Sequence, residues 1–283
     1  MKQKIAVLTD SSSSVYAYDH GFDNIFVIDI HAFIGDQIFT DFKNTGDGPF
    51  LEALAKADVI AKTSQPSIGE TLAMYDHIKD LGFTNIIYLP IAKELSGTYQ
   101  NAHLAKNNHD GIEIEIVDTQ TTVSILGKMV LIAAQMAKEG HSVPEIVEVI
   151  LSLKTKWGFF FGVNDLSSLV KNGRLSNAKS FIANMLKIKP LLEFSQDGHL
   201  FAKKNIRTFN KTLLAVVDAV VEKVASDKTE IHVLYTNNTD DLNKTIALIK
   251  EKLPNNEIKT FTLSPTIVAH VGLAVIGVGW INL

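Results

Sequence analysis

The first half of the chain alternates short apolar runs with segments of helical pattern, and this alternation limits the fold more than any other feature. Ile5–Leu8 and Asn85–Ile91 have the length and composition of buried strands. Ser67 and Glu70 have the spacing of a capping box, which predicts a helix from about Ile68 to Asp80. Strands that alternate with helices favour a mostly parallel, doubly wound sheet with helices on its faces.

The second half has a different pattern, richer in hairpin signals. Pro190–Phe194 is predicted to pair with Leu200–Ile206 across a Gln-Asp-Gly turn, and Asn177–Lys187 is predicted to be helical. The sequence therefore predicts two α/β domains that pack directly together. The first, with a mostly parallel sheet, covers residues 1–156, and the second, with a mixed or antiparallel sheet, covers residues 157–283.

Composition excludes several classes of protein. Hydrophobic residues make up 46% of the 283 residues, so a packed core is expected. The net charge of −4 and the lack of any Lys/Arg cluster argue against a nucleic-acid partner. The absence of cysteine excludes disulfides and thiolate metal sites. The apolar part of the first ten residues is too short for a signal peptide, and a cytoplasmic location is expected.

Two segments need an interpretation of their own. Thr260–Leu283 carries no formal charge, but Ser264, Pro265 and several glycines weaken a membrane helix, so buried strand and loop are expected. Thr9–Ser14 contains four consecutive serines after an aspartate, for which a solvated turn is expected.

The most informative stretch for function is Glu94–Asn101. A strand that turns through Ser96, Gly97 and Thr98 into a helix leaves the first helical N–H groups without intrahelical partners. Such a turn suits an anion such as a phosphate or a carboxylate. The alternative is that Ser96 or Thr98 is only a helix cap. Thr63 and Ser64 are predicted to lie in a loop, where they are free to face a ligand.

Other chemistries find less support in the residues. Ser96 lacks the Gly-x-Ser-x-Gly spacing of a hydrolase nucleophile, although a serine hydrolase or acyltransferase stays open as an alternative. The nine histidines show no metal-ligand spacing, so no metal is predicted. His270, in an uncharged segment, is either a core histidine or a donor to a buried anion. Arg174 and Arg207 are either surface residues or anion contacts.

Short motifs along almost the whole chain resemble those of the DegV family of bacterial fatty-acid-binding proteins. The motifs are Thr9-Asp10-Ser11-Ser12-Ser13, Thr63-Ser64-Gln65-Pro66-Ser67, Leu95-Ser96-Gly97-Thr98-Tyr99-Gln100, Val117-Asp118-Thr119, Asn172-Gly173-Arg174-Leu175-Ser176, Ile188-Lys189-Pro190-Leu191-Leu192, Arg207-Thr208 and His270-Val271-Gly272. Each motif is weak alone, but eight of them in this order are specific.

The resemblance implies two α/β domains that enclose a long-chain fatty acid such as palmitate, stearate or oleate, with no other cofactor. It implies that Thr63, Ser96 and His270 bind the carboxylate, with Arg174 and Arg207 near the opening. It also implies a non-catalytic carrier that presents the acid to a separate fatty acid kinase, which makes an acyl phosphate for phospholipid synthesis, with a membrane surface as a transient partner.

The chain departs from the family pattern at two places. Leu273–Ile276 replaces a glycine or Pro-Gly pair that usually follows the His-Val-Gly motif, and position 119 is threonine where serine is commoner. The first departure bears on the shape of the tunnel and on the partner surface, so the kinase partnership is less firmly implied than lipid binding.

Overall fold

A computed structural model describes residues 3–40, 48–180 and 188–283. The strands are β1 Ile5–Asp10, β2 Ile25–Ile28, β3 His31–Ile34, β4 Gln37–Phe39, β5 Lys62–Ser64, β6 Asn85–Leu89, β7 Glu113–Ile116, β8 Trp157–Val163, β9 Leu191–Phe194, β10 Leu200–Lys204, β11 Glu230–Tyr235, β12 Ile258–Thr262 and β13 Val275–Ile281. The α-helices are α1 Gly48–Lys56, α2 Ile68–Asp80, α3 Thr98–Lys106, α4 Val123–Glu139, α5 Val143–Leu153, α6 Ser167–Lys171, α7 Phe209–Val221, α8 Thr239–Lys252 and α9 Pro265–Val271.

The first half is built on a parallel sheet in the order β2-β1-β6-β7. Its central strands β1 and β6 are buried along their length, as expected for strands covered on both faces. Helix α2 begins at the predicted capping box, in which Ser67 and Glu70 bond reciprocally. The prediction of a mostly parallel sheet flanked by helices is confirmed.

A small antiparallel sheet, β4-β3-β5, lies beside this parallel sheet. The sequence predicted a loop for Thr63 and Ser64, and this was wrong because both residues belong to β5 and pair with β3. Only three residues form β5, too few for an alternating pattern to show in the sequence. Pairing with β3 gives the Thr63 backbone a fixed position.

The second half contains a six-stranded mixed sheet in the order β10-β9-β8-β13-β11-β12. Its pairs are antiparallel except for β11 and β12, and the predicted hairpin of β9 and β10 is present. The mixed second domain of the fold-class prediction is therefore confirmed. The predicted helix Asn177–Lys187 lies partly outside the described residues, which show a short 3₁₀ turn at Ala178–Ser180.

The two halves share one hydrophobic core. Helix α4 packs on β1 of the first sheet and on β11 and β13 of the second. Side chains from both sheets, such as Val7 and Phe161, belong to one buried cluster with Ile125 and Met129 of α4. The halves therefore bury apolar surface against each other, while the boundary near residue 156 stays a prediction.

Two further expectations from the sequence were wrong. Thr260–Leu283 contains helix α9 between two strands, where strand and loop were expected. Pro265 is compatible with this helix because it occupies the first turn, where its missing N–H has no intrahelical partner. Ser11–Ser14 form a buried turn and not a solvated one. Within the described ranges, no helix has the length and hydrophobicity needed to cross a bilayer.

Candidate ligand-binding site

An apolar cavity lies between the two sheets. The space free of protein atoms there is about 730 Å³, a figure that includes the open solvent at the mouth of the cavity. Its wall is formed by aliphatic and aromatic side chains from both halves: Ile30, Ile91, Leu95, Val123, Phe159, Phe161, Leu169, Phe194, Leu200, Leu263, Ile267, Val271 and Val275. A wall of this composition suits a hydrocarbon chain.

Six polar side chains line this wall: Thr63, Ser96, Thr122, Arg174, Thr266 and His270. Thr122 and Thr266 are buried, like most of the apolar wall, whereas the other four belong to half-buried residues. The cavity therefore has a polar part that reaches the protein surface and an apolar part that lies inside. This arrangement matches a ligand with one polar head and one apolar tail.

Thr63 and His270 form a direct hydrogen bond between the two halves. Thr63 Oγ1 lies 2.7 Å from His270 Nε2, a distance typical of a strong neutral bond. Thr63 is held by β5, and His270 lies in the last turn of α9. Residues that are 207 positions apart in the sequence are thus joined at the polar end of the cavity.

His270 is neutral at physiological pH. Burial lowers the pKa of its imidazole to about 4, and the nearby positive charge of Arg174 acts in the same direction. Its second nitrogen, Nδ1, is buried and has no hydrogen-bond partner among the described residues. A buried polar atom without a partner is costly and is typical of a site that awaits a ligand or a water.

Ser96 lies directly before helix α3, whose N-cap is Gly97. Its Oγ is 2.8 Å from Thr98 Oγ1 and also accepts a hydrogen bond from the Thr98 N–H. Thr98 is fully buried and does not line the cavity, so it supports Ser96 from behind. Ser96 therefore bonds to the first residue of α3 without being its N-cap and also lines the cavity, while its part in anion binding stays a prediction.

Among the described residues that line the cavity, Arg174 is the one with a formal charge. Its Nε donates to the carbonyl of Leu95 at 3.2 Å, and its Nη1 donates to the carbonyl of Asn172. These bonds hold the guanidinium beside Ser96. A fixed cation near His270 and Ser96 favours an anionic ligand.

Buried residues of the turn that begins at Asp10 form hydrogen bonds with residues of the cavity wall, and the sequence did not predict this role. The Asp10 carboxylate accepts hydrogen bonds from the N–H of Ser12 at 3.0 Å and of Ile91 at 2.7 Å. Ser11 Oγ accepts from the N–H of Ile30 and lies 3.0 Å from the hydroxyl of Thr266, a cavity residue. The sequence signal for this buried turn was an aspartate followed by several serines at the end of a strand, because a solvated turn does not need that combination of side chains.

Three other predicted residues lie away from the cavity wall. Ser64 is exposed on β5 and bonds to the carbonyl of Gln65. Gly97 contacts Gln65 so closely that an added Cβ would lie 1.9 Å from its Oε1. Arg207 is exposed in the loop before α7. The structure thus brings together Thr63, Ser96, Arg174 and His270 and leaves these three outside.

The geometry around Ser96 offers no base for nucleophilic catalysis. Its hydrogen-bond partner is Thr98, and no histidine is bonded to it in the described part of the chain. Hydrogen bonds do link a serine, a histidine and an acid at Ser124, His232 and Glu230, but Ser124 and His232 have no exposed surface. A nucleophile needs an accessible oxygen beside a base, and neither serine has both.

The position of Phe159 in the cavity wall depends on two glycines of β13, Gly277 and Gly279, which have no side chains. A Cβ at Gly277 would lie 2.5 Å from the ring of Phe159, and a Cβ at Gly279 would lie 2.7 Å from the same ring. Phe159 therefore lies flat against β13 and leaves the cavity open beside it.

The described residues contain no group of three or more histidine, aspartate or glutamate side chains arranged to hold a metal ion. The donors at the cavity are hydroxyls, an imidazole and a guanidinium, and this set suits a carboxylate or a phosphate better than a cation.

An apolar cavity with polar side chains at its half-buried part has the composition expected of a site for an amphiphilic anion. The family model described as "Uncharacterised protein, DegV family" matches residues 4–283. The chain therefore belongs to the DegV family, and the resemblance in its motifs is confirmed.

Individual relatives agree over the full length of the chain. The DegV domain-containing protein SA0704 of Staphylococcus aureus (strain N315) is 30% identical over 286 residues, which cover 99% of this chain and 98% of the relative. The fatty acid binding DegV family protein SAG1342 from Streptococcus agalactiae has a crystal structure with a TM-score of 0.90 and 28% identity, covering 99% of both chains. The crystal structure of DegV, a fatty acid binding protein from Bacillus subtilis, has a TM-score of 0.87 and 26% identity, covering 99% of this chain and 100% of the other.

Proposed function

We propose that this protein binds a long-chain fatty acid with its carboxylate at Thr63, Ser96, Arg174 and His270 and its alkyl chain in the apolar cavity. The observation that carries the proposal is that these four half-buried polar groups line a cavity whose wall is mostly apolar. Family relatives described as fatty acid binding proteins support the same ligand class.

The tail supplies most of the binding free energy. Each buried methylene contributes about 0.8 kcal/mol, so a sixteen-carbon chain gives about 12 kcal/mol before the costs of association are subtracted. The head group fixes the orientation, because an unpaired buried carboxylate costs several kcal/mol and must receive hydrogen bonds. Ser96, Arg174 and the Thr63–His270 pair are suitable donors.

The tautomer of His270 decides how Thr63 takes part. Thr63 has one hydroxyl hydrogen, which it gives either to His270 or to the ligand. We propose that His270 carries its proton on Nε2 in the complex and donates to Thr63 Oγ1. The Thr63 hydroxyl is then free to donate to the carboxylate, so that the imidazole acts through the threonine.

We further propose that the bound acid is presented to a separate ATP-dependent fatty acid kinase, as the family resemblance implies. The half-buried position of Ser96, Arg174 and His270 supports this step because it leaves the head group near the surface. The protein itself supplies no phosphoryl-transfer chemistry in this scheme.

Extraction of the native protein with organic solvent, followed by mass spectrometry, tests the ligand. We expect about one fatty acid per chain. Protein that contains none, and that takes up no palmitate or oleate after delipidation, contradicts the proposal.

The kinase step is tested separately, with a fatty acid kinase and ATP in the presence and absence of the loaded protein. Formation of acyl phosphate only in its presence supports presentation. Binding without acyl phosphate leaves the lipid site standing and removes the kinase partnership.

A further inference from the structure

Asn172 lies at a point where three parts of the polar site meet. Its side-chain Nδ2 donates to the carbonyl of Ala61 at 3.0 Å and to the carbonyl of Ala269 at 3.2 Å. Ala61 is two residues before Thr63, and Ala269 is directly before His270. One amide group therefore joins the strand that carries the threonine to the helix that carries the histidine.

The chemistry of these contacts requires an amide. Both partners are carbonyl oxygens, which only accept, so the side chain must offer two N–H donors in one plane. Asparagine supplies them without a charge, whereas aspartate of the same size offers only acceptors when it is ionised. The orientation of the Asn172 amide thus follows from its partners.

The backbone of the same segment reaches the remaining polar groups. The Asn172 carbonyl accepts from Arg174 Nη1, and Arg174 Nε donates to the carbonyl of Leu95, the residue before Ser96. Gly173 makes this turn with a φ of +70°, a conformation that favours glycine. Each group of the polar site is therefore one or two residues from a hydrogen bond made by Asn172 or Arg174.

We propose that Asn172 is a positioning residue, whose side chain sets the distance between Thr63 and His270 and whose backbone carbonyl orients Arg174. The inference rests on the proposed function only for the identity of the ligand. A displacement of about 1 Å between α9 and β5 would break the 2.7 Å hydrogen bond between the two side chains. The site would then keep its residues but lose their arrangement.

The chain offers a matched control for this role. Asn256, which is buried whereas Asn172 is half-buried, also donates its amide to two carbonyls, those of Ser226 at 2.8 Å and Thr229 at 3.0 Å. None of these three residues lines the cavity. Replacing Asn256 by alanine removes the same kind of interaction without touching the site.

The experiment compares Asn172→Ala with Asn256→Ala by three measurements: urea unfolding, palmitate affinity, and the ¹⁵N chemical shifts of the His270 imidazole. We expect both variants to lose stability. Asn172→Ala alone should shift the His270 nitrogens, raise the imidazole pKa from about 4 toward 6.5 as water enters, and weaken palmitate binding about tenfold. Asn172→Ser keeps one hydrogen-bond donor, so its His270 shifts and its palmitate affinity should lie between those of wild type and of Asn172→Ala. This variant replaces Asn172→Ala in the comparison if the alanine variant does not fold.

The inference is overturned if Asn172→Ala, or Asn172→Ser in its place, leaves the His270 shifts and the palmitate affinity as they are in Asn256→Ala. Failure of the proposed function gives a different result. Wild-type protein would then bind no palmitate, while the ¹⁵N shifts of His270 would still report whether Asn172 holds the Thr63–His270 bond.

Discussion

Two hydroxyl–imidazole pairs join the halves of the molecule, and they differ in one respect. Thr63 bonds His270 at 2.7 Å, and Ser124 bonds His232 at 2.8 Å. In each pair the hydroxyl comes from the first half and the imidazole from the second. The second nitrogen of His232 meets the carboxylate of Glu230 at 2.5 Å, whereas the second nitrogen of His270 has no partner among the described residues.

The residues around His232 and those around His270 also differ. Glu230 also accepts from Lys128 and Lys259, each at 2.9 Å, so the pair at His232 ends in a closed ionic network. The pair at His270 ends at the cavity wall beside Arg174. A histidine with all its partners inside the protein holds the structure together, whereas His270 keeps one nitrogen without a partner and reaches the cavity through its bond to Thr63.

The largest expected effect breaks the closed network. Glu230→Ala leaves Lys128 and His232 without their acid and Lys259 with only Glu257, 3.5 Å away. Removing one partner of a buried ion pair costs about 3–5 kcal/mol of unfolding free energy. Because hydrogen bonds from His232 and both lysines hold the pKa of Glu230 below its ordinary value of 4.5 against the effect of burial, this contribution is present above that pH and is lost as the pH falls. Urea unfolding at pH 7 measures the effect.

The control for that variant is Asp218→Ala, which removes an exposed ion pair with Lys252. It should cost less than about 1 kcal/mol. Equal losses for Glu230→Ala and Asp218→Ala would show that the network does not stabilise the junction.

The next effect concerns pH and His270. The folded protein keeps this imidazole neutral until about pH 4, while the unfolded chain takes up a proton near pH 6.5. Stability should therefore fall as the pH drops from 6.5 to 4, by up to about 3 kcal/mol for this group. His270→Gln should remove that part of the slope in urea unfolding between pH 7 and pH 4.5. An identical slope in the variant would show that His270 is not the buried neutral group described.

The smallest effect concerns the ligand. Ser96→Ala removes one donor to a charged head group and should weaken palmitate binding by about 1–3 kcal/mol. Ser152→Ala, which changes an exposed serine on α5, is the matched control and should leave the affinity unchanged. Titration of delipidated protein with labelled palmitate gives both values, and equal affinities would take Ser96 out of the head-group site.

Local signals predicted much of the fold. The capping box at Ser67 and the hairpin near Gly198 both lie where the pattern placed them. Each is a local rule in which residues a few positions apart satisfy one another, so the sequence contains the whole interaction. The family motifs indicated the four residues that the structure brings to the cavity.

Contacts between distant segments were not predictable in the same way. Strand β5 pairs with the distant strand β3, and the serines after Asp10 are covered by α4, α9 and the loop after β6. The role of Asn172 depends on two carbonyls, one of them 111 positions away. No pattern within a short window reports such partners.

The contact between Phe159 and strand β13 has a consequence for the shape of the cavity. Side chains are absent at Gly277 and Gly279, and the aromatic ring occupies the space that they leave. A single methyl at either position would push the ring away from the strand, and the cavity would change shape because Phe159 lines it. Substitutions on β13 therefore alter the cavity volume through Phe159 and also directly, since Gly277 is itself part of the wall.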